Sequence, residues 1–417
     1  MEKCSLLLKN CMEIISPKNK CARGKARKKI NMWKNTDIAI NNDTIADIGK
    51  NLDYRPDKVI DASNYVVMPG FVDSHTHLVF GGSRDEEYLM RVRGESYEKI
   101  AEQGGGIKST VDKTRKLGEN ELFDLAENRL RKLLSYGTTT VEVKSGYGLD
   151  LKTEMKMLHV IKRLQEKYPE TVISTFMGPH EIPGKYSERE YMDYVCNEMM
   201  PEVKKENLAE FVDIFTEKGV FSIDETKKYF EEAKKMGFKL KIHADELHPL
   251  GGAELAAEYN AISADHLMEI TEKGIERLGK SNTVATLLPG TSFFLMKNNY
   301  APARKLLDNN VIVALSTDYN PGSSNTYNMQ MIINLASLYL KMDIEEIINA
   351  VGVNAAKAVD RSDRGIIKKD KKADLILLDI PNYKYLVYQY GLNNVKMVIK
   401  NGEKVVENRT DYLFGES

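Results

Sequence analysis

Pro69-Gly70-Phe71-Val72-Asp73-Ser74-His75-Thr76-His77-Leu78 is the stretch on which the fold turns. Val66, Val67 and Met68 lead into it as a short apolar run, the pattern of a fully buried parallel strand. Side chains alternate faces along a strand, so His75 and His77 point to the same side. Two imidazoles on one face, at the end of a buried strand, can hold one divalent metal between them. The pair alone is a weak signal, because two histidines two apart also occur as satisfied core residues. Its weight comes from what lies further along the chain.

Outward from this stretch, apolar runs recur with helical stretches between them. The strand candidates are Val66–Val72, Thr138–Val143, Val172–Met177, Phe211–Phe215, Leu240–Ala244, Ala261–Asp265, Thr283–Leu288 and Val311–Thr317. Amphipathic runs such as Glu119–Ser135, Thr153–Tyr168, Asp224–Met236 and Gly251–Tyr259 separate them. Eight strands alternating with helices over about 300 residues point to an α/β fold of the (β/α)8 TIM-barrel type rather than an open sheet. The piece from Gly81 to Gly118 is then an enlarged first loop. Gly104-Gly105-Gly106 lacks the position and spacing of a dinucleotide fingerprint, which leaves a flexible or a substrate-facing loop.

The flanks read differently. Ser5–Leu8, Met12–Ile15, Asp37–Ile40, Thr44–Ile48 and Lys58–Ala62 are short strands, with turn chemistry at Asn41-Asn42-Asp43. Ala373–Asp379, then Val395–Lys400 and Lys404–Val406 about Asn401-Gly402, return to strands near the end. Residues 1–65 and 361–417 are therefore expected to form one composite, β-sandwich-like domain, interrupted by a catalytic barrel over 66–360. A basic loop at residues 17–29 (Lys18, Lys20, Arg23, Lys25, Arg27, Lys28, Lys29) reads as a solvated surface loop.

Composition excludes several function classes. Sixty Lys+Arg against 61 Asp+Glu leave a formal net charge of -1, so no global field favours nucleic acid or an anionic membrane. No segment approaches the ~20 apolar residues of a spanning helix, and the N-terminus has no signal-peptide hydrophobic region. Cys4, Cys11, Cys21 and Cys196 form no CxxC and no dense framework, which suits a reducing cytoplasm.

In a barrel of this type the C-terminal strand ends carry the chemistry. Here they carry His75 and His77 on strand one and His180 after strand three. Strand five ends with His243 and Glu246, strand six with His266, strand eight with Asp318. Five of the seven histidines thus fall at one mouth, leaving His159 and His248 outside. Imidazoles and a carboxylate suit zinc or iron, one divalent metal that activates water at neutral pH. An acid or base must then deliver a proton to the leaving atom, and His266, Asp318 and Glu246 are available. No Gly-x-Ser-x-Gly elbow occurs, which disfavours serine hydrolysis.

This pattern resembles the metal-dependent amidohydrolase superfamily, as does Gly365-Ile366-Ile367-Lys368-Lys369-Asp370-Lys371-Lys372-Ala373-Asp374-Leu375, with Asp370 where that family usually has Gly. Within it the chain is similar to the imidazolonepropionase family. The motifs are His75-Thr76-His77-Leu78-Val79-Phe80-Gly81-Gly82-x-Arg84, Gly104-Gly105-Gly106-Ile107 and Lys144-Ser145-Gly146-Tyr147-Gly148-Leu149. They continue as Lys241-Ile242-His243-Ala244-Asp245-Glu246, Ser263-Ala264-Asp265-His266-Leu267 and Thr317-Asp318-Tyr319-Asn320-Pro321-Gly322-Ser323.

The resemblance implies metal ligation by His75, His77, His243 and Asp318. It implies substrate contacts from Arg84, Tyr147, His180, Glu246, Asn320, Gly322 and Ser323, and catalytic roles for Asp318, His266 and Glu246. The implied reaction is hydrolysis of the cyclic amide C–N bond of 4-imidazolone-5-propanoate. Arg84 fits the propionate, because a guanidinium holds a carboxylate bidentately. Tyr319 stands in place of a usually small residue and is expected to narrow the pocket. Ser323 replaces a common Thr, and Gly178-Pro179-His180-Glu181 departs from the commoner Gly-Ala-His-Ala. A deaminase of a nucleobase-like ring, or a barrel that has lost catalysis and serves as an assembly module, are the competing readings. The expected partners are a small-molecule substrate and a second copy of the chain as a homodimer, without nucleic acid or membrane.

Overall fold

The computed structural model describes residues 2–95, 99, 104–168 and 171–408. The expected first loop, Gly81–Gly118, therefore lies partly outside the described residues, at 96–98 and 100–103. The sequence 1–65 and 361–417 likewise loses Met1 and 409–417.

Two sheets form. The first contains β1 (Glu2–Pro17), β2 (Ile30–Asn41), β3 (Thr44–Gly49), β4 (Tyr54–Asp61), β5 (Val66–Pro69), β15 (Leu375–Leu378), β16 (Val395–Lys400) and β17 (Glu403–Glu407). Its order is β17-β16-β15-β5-β1-β2-β3, with β4 also on β1, so strands from both chain ends share one sheet. Leu8, Ile14, Ile38, Ile40, Val67, Leu377 and Ile399 gather in its core. The two expected strands Ser5–Leu8 and Met12–Ile15 are one long strand. A bulge between Leu8 and Cys11 absorbs the polar Lys9-Asn10 pair that suggested a break, and Asn10 takes a positive φ of 58° there.

The second sheet is parallel: β6 (Phe71–Asp73), β7 (Thr138–Lys144), β8 (Val172–Phe176), β9 (Phe211–Val212), β11 (Lys239–Ala244), β12 (Ser263–His266), β13 (Val284–Leu287) and β14 (Ile312–Leu315), paired in that order. A two-residue strand, β10 (Phe215–Thr216), pairs with β11 beyond β9, so the expected strand Phe211–Phe215 is two pieces. The last strand closes on the first through loop residues: Asp318 N–H donates to His75 O at 3.1 Å and His77 N–H to Tyr319 O at 2.9 Å. The helices Glu119–Ser135, Leu151–Lys167, Ile223–Lys235 and Gly252–Tyr259 stand where the periodicity expected them. This is the nearly closed (β/α)8 barrel, with the mixed β unit beside it.

The expected single strand Val66–Val72 is divided between the two sheets. Val66–Pro69 pairs with β1 and antiparallel with β15, and only Phe71–Asp73 belongs to the barrel. Proline has no N–H, and the next two amides go opposite ways: Gly70 to Asp374 O and Phe71 to Gly137 O, both at 2.9 Å. The apolar run reads alike on both sides because both halves are buried.

The basic loop is not simply solvated. Its backbone docks on the barrel through paired hydrogen bonds of 2.9 Å between Ala22 and the Asn354 amide. Arg27 bonds Glu346, Asp308 and Leu307 O, and Arg23 bonds Ser281 O. The charges serve to fasten a hairpin tip onto acidic helix ends.

Candidate metal centre and its cavity

The strand ends bring the four expected ligands together, all at most 3% exposed. His75, His77 and His243 present ligand nitrogens within 4.8 Å of one another, and His75, His266 and Asp318 form a second such group. Asp318 Oδ1 stands 3.5 Å from His75 Nε2 and 3.8 Å from His77 Nε2. His243 Nε2 and His77 Nε2 face each other at 3.4 Å. Backbone strain accompanies this convergence: Asp318 has φ 52° and His266 φ 77°, left-handed values that turn both side chains inward where the strands end.

Carboxylates behind the rings set their tautomers. Asp265 Oδ2 lies 2.7 Å from His75 Nδ1, and Asp213 Oδ1 lies 3.2 Å from His243 Nδ1. Each holds a proton on Nδ1 and leaves the Nε2 lone pair for a cation, the usual support of a metal-bound imidazole. Beneath them Lys144 Nζ bridges Glu142 and Asp213 at 2.9 and 2.7 Å, and Lys241 Nζ bonds Glu142 at 2.7 Å and Ser74 O at 2.8 Å. All five of these charged residues are fully buried. Their pairing satisfies charges that would otherwise be prohibitively costly inside the barrel.

Burial is the main cause that drives His75 and His77 well below the ordinary histidine range, so both rings are neutral. Burial opposes charging His243 as well, but the Asp213 carboxylate outweighs it and raises that ring. Burial also lifts the Asp318 carboxyl to about 7, against the Thr291 hydroxyl that donates to Oδ2 at 2.6 Å. His75 Nε2 and His266 Nε2 are buried polar atoms with no hydrogen-bond partner. Unpartnered lone pairs and a carboxylate oxygen around one point fit a divalent cation.

Above this cluster lies a cavity of about 590 Å³. Arg84, Tyr147, His180, Glu246, Asn320, Gly322 and Ser323 all line it, with His77, His243, His266 and Asp318. His180 stacks on His77 with ring centroids 5.0 Å apart, and its Nδ1 contacts Gly146 O at 3.0 Å. Glu246 Oε2 is 3.6 Å from His266 Nδ1. His159 and His248 face Glu206 and Glu217 away from the cluster.

Three expectations need correction in detail. The Nε–Nη2 edge of Arg84 is already bidentate on Glu87, at 2.8 and 2.6 Å, which leaves mainly Nη1 for a ligand. The Asn320 side chain is spent on its own loop, accepting from Gly322 and Ser323 N–H and donating to Asp318 O. Tyr319 does not narrow the cavity; it packs outward, 6.0 Å from Phe80 and 5.0 Å from Tyr327 between ring centroids. The isolated bridge Thr76–Tyr319 fixes that orientation, because neighbouring residues along it alternate sides.

Glu142, Asp213, Lys144 and Lys241 contribute to the site without being among the site residues expected from the sequence. Their signal was present: charged residues inside otherwise apolar runs of buried-strand length.

Residues 66–405 match the amidohydrolase family. The chain belongs to that family. Among similar proteins, an imidazolonepropionase of Alkaliphilus oremlandii is 46% identical over 411 residues, covering 96% of this chain and 97% of the relative. One of Staphylococcus aureus is 47% identical, covering 98% and 99%, and one of Bacillus cytotoxicus 52% identical, covering 83% and 82%. Solved structures that share the fold are more distant in sequence. An adenosine deaminase from Xanthomonas campestris superposes with a TM-score of 0.72 at 17% identity, over 97% of this chain and 93% of its own. A 5-methylcytosine deaminase from Klebsiella pneumoniae gives 0.72 at 16%, over 97% and 100%. These two bear on the fold alone.

Proposed function

We infer that this family member hydrolyses the cyclic amide C–N bond of 4-imidazolone-5-propanoate to give N-formimidoyl-L-glutamate, a step of histidine degradation in the cytoplasm. Near-full-length identity to imidazolonepropionases supports this. The observation that carries it is one cavity holding, at its floor, the histidine–carboxylate cluster and, on its wall, the guanidinium of Arg84. A ring with a carbonyl at one end and a carboxylate arm at the other matches both.

His75, His77, His243 and Asp318 would hold one divalent ion, zinc or iron, whose contribution is to make water a nucleophile at neutral pH. The chain's own residues do the rest. Water attacks the ring carbonyl, and Asp318 accepts its proton at Oδ1, since Oδ2 is occupied by the Thr291 hydroxyl. His266, with Nε2 free and Glu246 behind Nδ1, stabilises the developing oxyanion or passes the proton to the leaving nitrogen. Glu246 hydrogen-bonds the ring, and Tyr147 and His180 wall it in. The working assembly is a homodimer in this proposal.

The test is the ultraviolet absorbance of the imidazolone ring in the presence of purified protein. Loss of the chromophore with formation of N-formimidoyl-L-glutamate is expected. Inertness towards the imidazolone with ammonia release from cytosine or adenosine would replace this reading by a deaminase. Inertness towards all of them would favour an assembly module.

A further inference from the structure

The helix Asp85–Val92 presents Arg84, Glu87 and Arg91 at spacings of three and four residues, hence on one face, and all three line the cavity. Arg84 and Glu87 neutralise each other in a bidentate pair. Glu87 Oε2 also accepts the Gly106 N–H at 2.8 Å, so this pair anchors the glycine loop as well. Arg91 is different. Among the described residues no carboxylate forms an ion pair with it, its Nε is buried without a hydrogen-bond partner, and its one hydrogen bond runs from Nη2 to Gly322 O at 2.9 Å.

Both guanidiniums meet at Gly322. A side chain there would come within 2.0 Å of Arg84 Nη1, so only glycine lets Arg84 lie across this loop, while the carbonyl of the same residue holds Arg91. A half-buried guanidinium with an idle, buried Nε, on a cavity wall whose other arginine is already compensated, calls for an anion from outside the protein.

We propose that Arg91, together with the free Nη1 of Arg84, binds the carboxylate of the substrate and is a specificity-determining residue of this site. This rests on the imidazolone reading above. It differs from the expectation that Arg84 alone forms the fork: the carboxylate is shared between Arg91 Nε and Arg84 Nη1, with Glu87 holding Arg84 in position. Glu87 offsets one of the two guanidinium charges and Glu95, which also lines the cavity, is paired with Lys99 at 3.1 Å, so one positive charge is left for one carboxylate.

The experiment compares two ligands on metal-loaded protein by calorimetry: 3-(imidazol-4-yl)propanoate and its uncharged propanamide. Arg91→Met should weaken the propanoate about tenfold or more and the propanamide less than threefold, since only the first loses a charge-assisted bond. Arg91→Lys, which keeps the charge without the Nε donor, should fall between wild type and Met. Equal weakening of both ligands would mean that Arg91 only props the Gly322 loop, and unchanged affinities would mean that the carboxylate is held elsewhere; either overturns the proposal. Thermal melting of each variant identifies unfolded protein, for which Arg91→Gln is the replacement in the same comparison. Wild type that fails to hydrolyse the imidazolone fails the functional reading instead, independently of how Arg91 variants behave.

Discussion

At the scale of single residues, the site separates two acids by what surrounds them. Asp318 touches the imidazoles through Oδ1 and is fixed by Thr291 through Oδ2, whereas Glu246 has His266 beside it at 3.6 Å, with Lys297 on the same cavity wall. Asp318→Asn retains the shape but loses both the anionic oxygen and the proton acceptor. Its kcat should fall by at least the ~10²–10⁴-fold of one acid–base role, and further with loss of metal. Glu246→Gln keeps a hydrogen bond to the ring and should act mainly on KM. Steady-state kinetics on metal-saturated variants check this, and a Glu246→Gln enzyme as inactive as Asp318→Asn would make Glu246 the proton carrier. The residue types and spacings around His75, His243, His266 and Asp318 were readable in the sequence because ligand chemistry admits few side chains. What Arg84 and Asn320 do was not. Their partners, Glu87 and the Gly322–Ser323 amides, are chosen by loop geometry that no periodicity encodes.

At the scale of elements, the change of sheet at Pro69-Gly70 positions everything else. The chain leaves β5 and enters β6 within one residue, and the histidine pair follows directly. A Cβ at Gly70 would lie 2.3 Å from the Thr139 side chain on β7. Gly70→Ala should therefore destabilise the fold by ~1–3 kcal/mol through overpacking. That outweighs the ~0.4–1 kcal/mol gained by stiffening the unfolded chain. Urea unfolding of the metal-free protein measures the difference, and a stability equal to wild type would show that Thr139 yields freely. The barrel helices were legible because their 3.6-residue pattern faces a single core. The strand boundary at residue 69 was not, because an apolar run buried in two different sheets carries no mark of where one ends. The basic hairpin misled for the converse reason: a charge run reads as solvated until the acidic partners Glu346, Asp308 and Asp343 are known to lie across from it.

At the scale of the whole molecule, the ends of the first, fifth, sixth and eighth barrel strands bring imidazoles and a carboxylate to one point, and buried Lys144 and Lys241 hold the supporting acids in place. This arrangement has ligands but no internal cation among its unpartnered atoms, so the folded state should bind one ion that the unfolded chain does not. Bound metal then adds stability in proportion to RT ln(1 + [L]/Kd). The most direct measurement is metal content by elemental analysis together with turnover of 4-imidazolone-5-propanoate, for wild type and His75→Ala, before and after chelation and reloading. About one zinc or iron per wild-type chain is expected, with activity lost on chelation and restored with the ion, and neither metal nor turnover in His75→Ala. Full activity in metal-free wild-type protein would contradict this.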